Sequence, residues 1–174
     1  GKTVLLAQGF KKAIALPTEK WSVRSIAEPE SEVSARGPRD GFVEDSRTNK
    51  GLLRKRIKNK NLVFEDIIMG DQTNTSVTIA YINGIANLNI LDEVKKRLEN
   101  IKLDGILDSG YIEELIKDHP LSPFNTIGYT ERPDSVAGKM LEGRIAIICD
   151  GSSFVLTVPF LFMENLQVSE DYAN

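Results

Sequence analysis

Residues 126–159 read TIGYTERPDSVAGKMLEGRIAIICDGSSFVLTVP. Pro133 suits a first helical position, where its missing N–H has no partner to lose, and Gly143 suits the left-handed residue that ends a helix. Between them Val136, Ala137, Met140 and Leu141 form an apolar stripe at helical period, which predicts one short helix packed on something. The partner follows directly. Residues 144–149 are rich in β-branched side chains, Asp150-Gly151 predicts a tight two-residue hairpin, and residues 154–158 predict the returning strand. Ile145 and Ile147 point to one face and Ala146 and Ile148 to the other, so the pair is expected inside a sheet covered on both faces. Pro159 ends the pairing.

The second half of this stretch recurs at the start of the chain. GKTVLLAQGFKKAIALP, residues 1–17, aligns without a gap on GRIAIICDGSSFVLTVP, residues 143–159. Gly1, Gly9 and Pro17 fall on Gly143, Gly151 and Pro159. Val4, Leu5, Leu6, Ala13, Ile14 and Leu16 fall on Ala146, Ile147, Ile148, Val155, Leu156 and Val158. Any two hairpins with a Gly turn share part of this pattern; the sharper reading is an internal duplication. Under it Gly1 corresponds to a helix end, and two related small subdomains are expected, the first truncated. Residues 1–35 are then the remainder of the first, a hairpin plus linker, and residues 36–174 are the second.

With 174 residues, 41% of them hydrophobic and 27% charged, the composition is that of one or two small globular domains. A net charge of −3 argues against an overall attraction to nucleic acid. Cys149 is the sole cysteine, which excludes an intrachain disulfide. No run approaches the roughly 18 apolar residues that span a bilayer, and no signal peptide is evident. The first residue is a Gly without a preceding Met, so the ends read as boundaries within a longer chain.

Between the two hairpins, Trp21, Val23 and Ile26 alternate with polar residues as in a short half-buried strand, before a Pro-, Ser- and Glu-rich linker with a boundary near Ala35. Asp45 or Ser46 can cap a helix that carries Leu52, Leu53 and Ile57. Residues 62–69 and 76–82 read as strands. Asn87 or Asn89 caps the clearest helix, with Leu91, Val94, Leu98 and Ile101 at spacings of three and four. Asp108 or Ser109 opens another, with Ile112, Leu115 and Ile116 inward and His119-Pro120 at its end. The expected order is hairpin, linker, helix, strand, strand, helix, helix, strand, helix, hairpin, with room for a last helix over residues 160–166. The fold class is α/β, a mixed sheet with packed helices.

Catalytic machinery is not visible in this pattern. His119, the one histidine, sits where a helix C-cap is favoured, and Cys149 lies in an apolar strand as a core thiol. No clustering of ligands predicts a metal site, and neither GDQTNT nor DGSS has the spacing of a phosphate loop. The basic residues Arg47, Lys50, Arg54, Lys55, Arg56, Lys58 and Lys60 read first as a solvated helix face. Phosphates of a nucleic acid or anionic lipid are the sharper alternatives, the former weakened by the lack of interleaved aromatics. Arg36, Arg39, Asp40 and Glu44, with Glu131 and Arg132 of the TERPD turn, make up a candidate interaction or ligand surface. No enzyme activity and no cofactor are expected.

Several segments carry a family resemblance: RGPRDGFVEDSRTN followed by LLRKRIK, then LDSGYIEELI, SPF, YTERPDSVAGKMLEGRIAIICDGSSFVLTVP and SEDY. Together they resemble the A subunits of spore germinant receptors, the GerA family. Lys50 and Gly51 depart from it, standing where the family more often has small or apolar helix formers. The resemblance implies two small α/β subdomains with likeness to halves of solute-binding proteins, ahead of transmembrane helices that lie outside this chain. It implies sensing of nutrients, amino acids or sugars, with B and C subunits in the inner membrane of the spore. A paralogous spore-membrane protein acting with the dipicolinic acid channel shares the RG and TER segments, and a small-molecule-binding domain is the other alternative.

Overall fold

The computed structural model describes residues 2–5, 12–17, 25–29, 31–32, 37–117 and 126–161. Its elements follow the expected order: β1 (Lys2–Leu5), β2 (Ile14–Pro17), α1 (Ser46–Arg56), β3 (Leu62–Met69), β4 (Thr75–Ile82), α2 (Leu88–Asn100), α3 (Ser109–Ile116), β5 (Gly128–Thr130), α4 (Pro133–Leu141), β6 (Ile145–Cys149) and β7 (Val155–Val158). β3 to β7 form a five-stranded sheet in the order β3-β4-β6-β7-β5. The α/β class holds, with helices packed on a sheet. Every ladder in that sheet is antiparallel, although β5 and β6, joined by α4, run the same way. β7 lies between them, which makes a split β-α-β unit.

The all-apolar β6–β7 pair divides two cores, as its alternation requires. Ile145, Ile147, Cys149, Leu156 and Val158 pack on one face with Leu91, Val94 and Leu98 of α2 and Ile112 and Ile116 of α3. Ala146, Ile148 and Val155 pack on the other with Leu52 and Leu53 of α1 and Val136, Ala137 and Met140 of α4. Each buried aliphatic side chain contributes about 1.5–3 kcal/mol, so the two covered faces hold this unit together. Leu115 and Leu141 depart from the expected inward stripes and are exposed. α3 and α4 are short and meet the sheet on a narrow strip, which leaves the flanking position outside.

Capping follows the sequence closely. The Asp45 side chain accepts from the Thr48 amide at the start of α1, Asn87 opens α2 and Asp108 opens α3. Pro133 opens α4, and Gly143 follows that helix at φ +92°. The turn between β6 and β7 differs from the expected two-residue hairpin: the loop spans residues 150–154, and β7 starts at Val155. A tertiary contact explains the extra length. The Gly151 amide donates to the Glu44 carbonyl at 2.8 Å, and Asp150 accepts from the Ser46 amide at 3.0 Å, so the loop reaches over the N-terminus of α1.

The leading hairpin repeats the β6–β7 register. Thr3 pairs with Leu16, Val4 with Ala15 and Leu5 with Ile14. Shifted by the one offset that carries Gly1 to Gly143, these become Ile145 with Val158, Ala146 with Thr157 and Ile147 with Leu156, which are the observed pairs. Val4, Leu5 and Ile14 are exposed, whereas their counterparts are fully buried. The expected strand around Trp21 and Val23, the His119-Pro120 helix end and the helix over residues 160–166 fall on or beyond residues outside the described set. Residues 25–29 form no strand, and Ile26 is exposed.

Candidate interaction site

β5 runs into α4 through Thr130, Glu131 and Arg132, and this turn gathers the segments on either side of it. Arg132 is extended (φ −97°, ψ 114°) ahead of Pro133, a conformation favoured before proline. It turns Glu131 inward, to only 7% exposure. One carboxylate oxygen of Glu131 accepts from the Ser31 hydroxyl at 2.6 Å and the Ser31 amide at 3.3 Å. The other accepts from the Ser153 hydroxyl at 3.1 Å, and the Glu131 carbonyl accepts from the Phe42 amide at 2.8 Å. A single residue therefore ties residues 31–32, the approach to α1 and the 150–154 loop. Buried carboxylates need such donors, because an unpaired charge away from water is costly.

Residues 25–29 and 31–32 are held at further points like a strap. The Thr130 hydroxyl donates to the Glu32 carboxylate, and the Gly41 amide donates to the Ala27 carbonyl at 2.8 Å. A Cβ on Gly41 would stand 3.0 Å from that carbonyl and 3.1 Å from the Pro29 ring, a tight fit that favours glycine here. Arg132 makes two hydrogen bonds to Asp134, at 2.6 and 3.2 Å. Burial alone would lift the Asp134 carboxyl, but the hydrogen bonds and charge of Arg132, with the charge of Arg56, hold it below the usual carboxylate range. Asp40 is paired with Arg56 of α1.

The predicted surface thus resolves into different roles. Asp40 pairs with Arg56 of α1, Arg132 with Asp134 of α4 and Glu131 with Ser31 and Ser153; the Arg56 charge, which also acts on Asp134, links the first two pairs. Arg39 is exposed, 3.9 Å from Glu28, and Glu44 is exposed while its carbonyl receives Gly151. Arg36 lies outside the described residues. Sequence reasoning missed Ser31, Thr130 and Ser153, small hydroxyls whose only signal is their proximity in the fold. The basic face of α1 is in part solvated, as expected, with Arg47, Arg54 and Lys55 exposed, and in part paired. Lys50 meets Asp66 at 3.0 Å, and Arg54 stacks 5.1 Å from the Phe64 ring centre while donating to the Leu62 carbonyl. Lys50 and Arg56 thus have carboxylate partners on β3 and on the approach to α1, while Lys55, Lys58 and Lys60 are exposed.

Chemically this is a set of mostly paired carboxylates and hydroxyls; the exceptions are Asp40 Oδ2 and Arg56 Nε, which are buried without a hydrogen-bond partner. Among the described residues no group of His, Cys, Asp and Glu is placed to hold a metal ion. Cys149 is buried, and burial with the charges of Asp150 and Asp108 pushes its thiol up to about 12, far from the thiolate a nucleophile needs. Two shallow hollows of about 260 and 510 Å³ lie away from the site, around Ile101, Lys102 and Leu103 after α2.

The family model described as Bacillus/Clostridium GerA spore germination protein matches residues 1–174. The chain belongs to the GerA family. Spore germination protein KA of Bacillus subtilis (strain 168) is 49% identical to this GerA-family chain over 172 residues, 99% of the chain and 32% of that protein. YfkQ of the same organism, named an uncharacterized membrane protein, is 46% identical over 99% of the chain and 34% of its own length. The chain spans about a third of the length of these curated relatives. The crystal structure of the N-terminal domain of the A subunit of the Bacillus megaterium spore germinant receptor GerK3 is similar at a TM-score of 0.56. The two are 51% identical, and the match covers 70% of this chain and 97% of that one. No helix among the described residues is long and apolar enough to cross a membrane.

Proposed function

We propose that the chain is the N-terminal domain of a spore germinant receptor A subunit. It takes part in the nutrient sensing and signal transduction that trigger germination, together with B and C subunits at the inner membrane of the spore. The carrying observation is the 51% identity that extends over 97% of the GerK3 A-subunit domain. Its part in the receptor is coupling, not catalysis. Two supports for that are the Glu131 carboxylate, whose oxygens are taken up by Ser31 and Ser153, and the buried, protonated Cys149. The hollows after α2 also lack the convergent buried polar groups of a ligand-enclosing pocket. Arg39 and Glu44, exposed beside the strap, are the candidate contacts to neighbouring subunits.

The test is a chimera in which this chain replaces the matching segment of Bacillus subtilis spore germination protein KA. Spores carrying it are expected to germinate with the nutrient mixture that triggers the parent, at a rate within a few-fold. A chimera that accumulates to parental levels yet leaves spores unresponsive overturns the reading. Within a working chimera, Arg39→Glu is expected to weaken recovery of the partner subunits by pull-down.

A further inference from the structure

The two ends of the five-stranded sheet differ in charge. At the end where β3, β5 and β6 finish, the loops expose Glu44, Asp71, Asp104, Asp108 and Asp150. At the opposite end α1 finishes and α2 begins, and there Lys55, Lys58 and Lys60 are exposed. The acids carried by the elements that meet at this end include Glu142, paired with Arg144 at 2.9 Å, Asp40, paired with Arg56 in the last turn of α1, and Asp92, one turn along α2. Cations near a helix C-terminus partly answer its dipole; Lys58 and Lys60, however, lie past the end of α1 in the loop that leads to β3.

The same end exposes aliphatic side chains. Ile85 is 46% exposed, and Leu88 and Leu141 are each 60% exposed. The loops that carry them are joined by backbone contacts. The Asn83 amide donates to the Asn61 carbonyl at 2.8 Å and the Asn87 amide to the Gly143 carbonyl at 3.4 Å, while the Ile85 carbonyl packs against Gly143. Lysines and aliphatic tips therefore share one ridge.

We propose that this ridge docks on the surface of an anionic lipid bilayer, with Lys58 and Lys60 among the head groups and Ile85, Leu88 and Leu141 at the acyl boundary. Cations set beside protruding aliphatic side chains match the chemistry of that interface. A nucleic acid would use the lysines but leave the aliphatic tips uncovered, and none of these five residues offers an aromatic face to a base. The acidic opposite end is repelled by the same lipid, which fixes the orientation. The proposal stands on charge and exposure, not on the receptor reading, so either can fail without the other.

The test is co-sedimentation of the 174-residue chain with vesicles of phosphatidylglycerol and phosphatidylcholine in about equal parts, against phosphatidylcholine alone. Binding is expected to the anionic vesicles only and to weaken as salt screens exposed charges over roughly 8–10 Å. Lys58→Glu with Lys60→Glu should lower it about tenfold or more, and Leu88→Asn with Leu141→Asn several-fold. Asp71→Asn with Asp104→Asn should leave it unchanged. Each substitution is on an exposed side chain, and unaltered circular dichroism confirms the fold. Binding indifferent to lipid charge, or undiminished by the lysine reversals in a folded chain, overturns the proposal. So does an absence of binding to the anionic vesicles, whether or not the chain binds DNA through those lysines.

Discussion

Two glycines one helix apart in role show how local geometry sets the cost of a methyl group. Gly143 has φ +92°, and a Cβ there would stand 2.9 Å from the Ile85 carbonyl oxygen, so backbone strain and a backbone collision act together. Gly143→Ala is expected to destabilise the chain by about 1–3 kcal/mol, read as a lower urea midpoint with an unchanged slope. Gly51 lies within α1 with nothing within 4 Å of a Cβ position. Gly51→Ala should stabilise by about 0.5–1 kcal/mol, since only the flexibility of the unfolded chain is lost. Gly143 was legible from its place between a helical stripe and a strand. The burial of Glu131 was not, because a TERPD turn carries no mark of the Ser31 and Ser153 hydroxyls that come to it from distant segments.

Among elements, the β6–β7 loop acts as a second cap on α1. Asp45 takes the Thr48 amide and Asp150 takes the Ser46 amide, so donors at one helix start are met from two parts of the chain. Asp150→Ala should cost about 0.5–2 kcal/mol, measured by urea unfolding, and this contact is also why Asp150-Gly151 misled as a two-residue turn. Hairpin rules describe isolated strands, whereas this loop length answers to α1. Element order was legible because Asp, Asn, Pro and Gly punctuate nearly every boundary, and the interior place of β6–β7 because both its faces are apolar. Across β3, β4 and α2, Tyr81 donates to Glu65, which Lys95 also meets at 2.6 Å. The hydrogen bond to Glu65, then burial, then the Glu65 charge raise the Tyr81 hydroxyl from 10 to about 12. The folded chain thus holds that proton more tightly than the unfolded one. The contribution is complete below pH 10 and is lost between pH 10 and about 12. The stability difference between the chain and Tyr81→Phe should therefore shrink over that window, followed by urea unfolding at stepped pH.

At the scale of the molecule, the strap of residues 25–29 and 31–32 is held against the turn after β5 and the approach to α1. The leading hairpin keeps the register of β6–β7 but exposes Val4, Leu5 and Ile14, whose counterparts are buried, and the strap contacts add ties further along the chain. They are polar and local: Ser31 to Glu131, Glu32 to Thr130 and Ala27 to Gly41. The sheet with its two cores does not depend on them. Glu131→Ala leaves the Ser31 and Ser153 hydroxyls without their acceptor, a cost of about 1–3 kcal/mol, and should open the strap before the sheet unfolds. A glutamate-specific protease, with the Glu30–Ser31 and Glu32–Val33 bonds as sites, is then expected to cut the strap several-fold faster in Glu131→Ala. A fragment from residue 37 onward should persist. Ser153→Ala removes one donor from Glu131 but leaves both Ser31 bonds, so its strap should be cut at nearly the original rate. Equal acceleration in both variants would mean that cleavage follows overall stability, and that the strap has no hold of its own on Glu131.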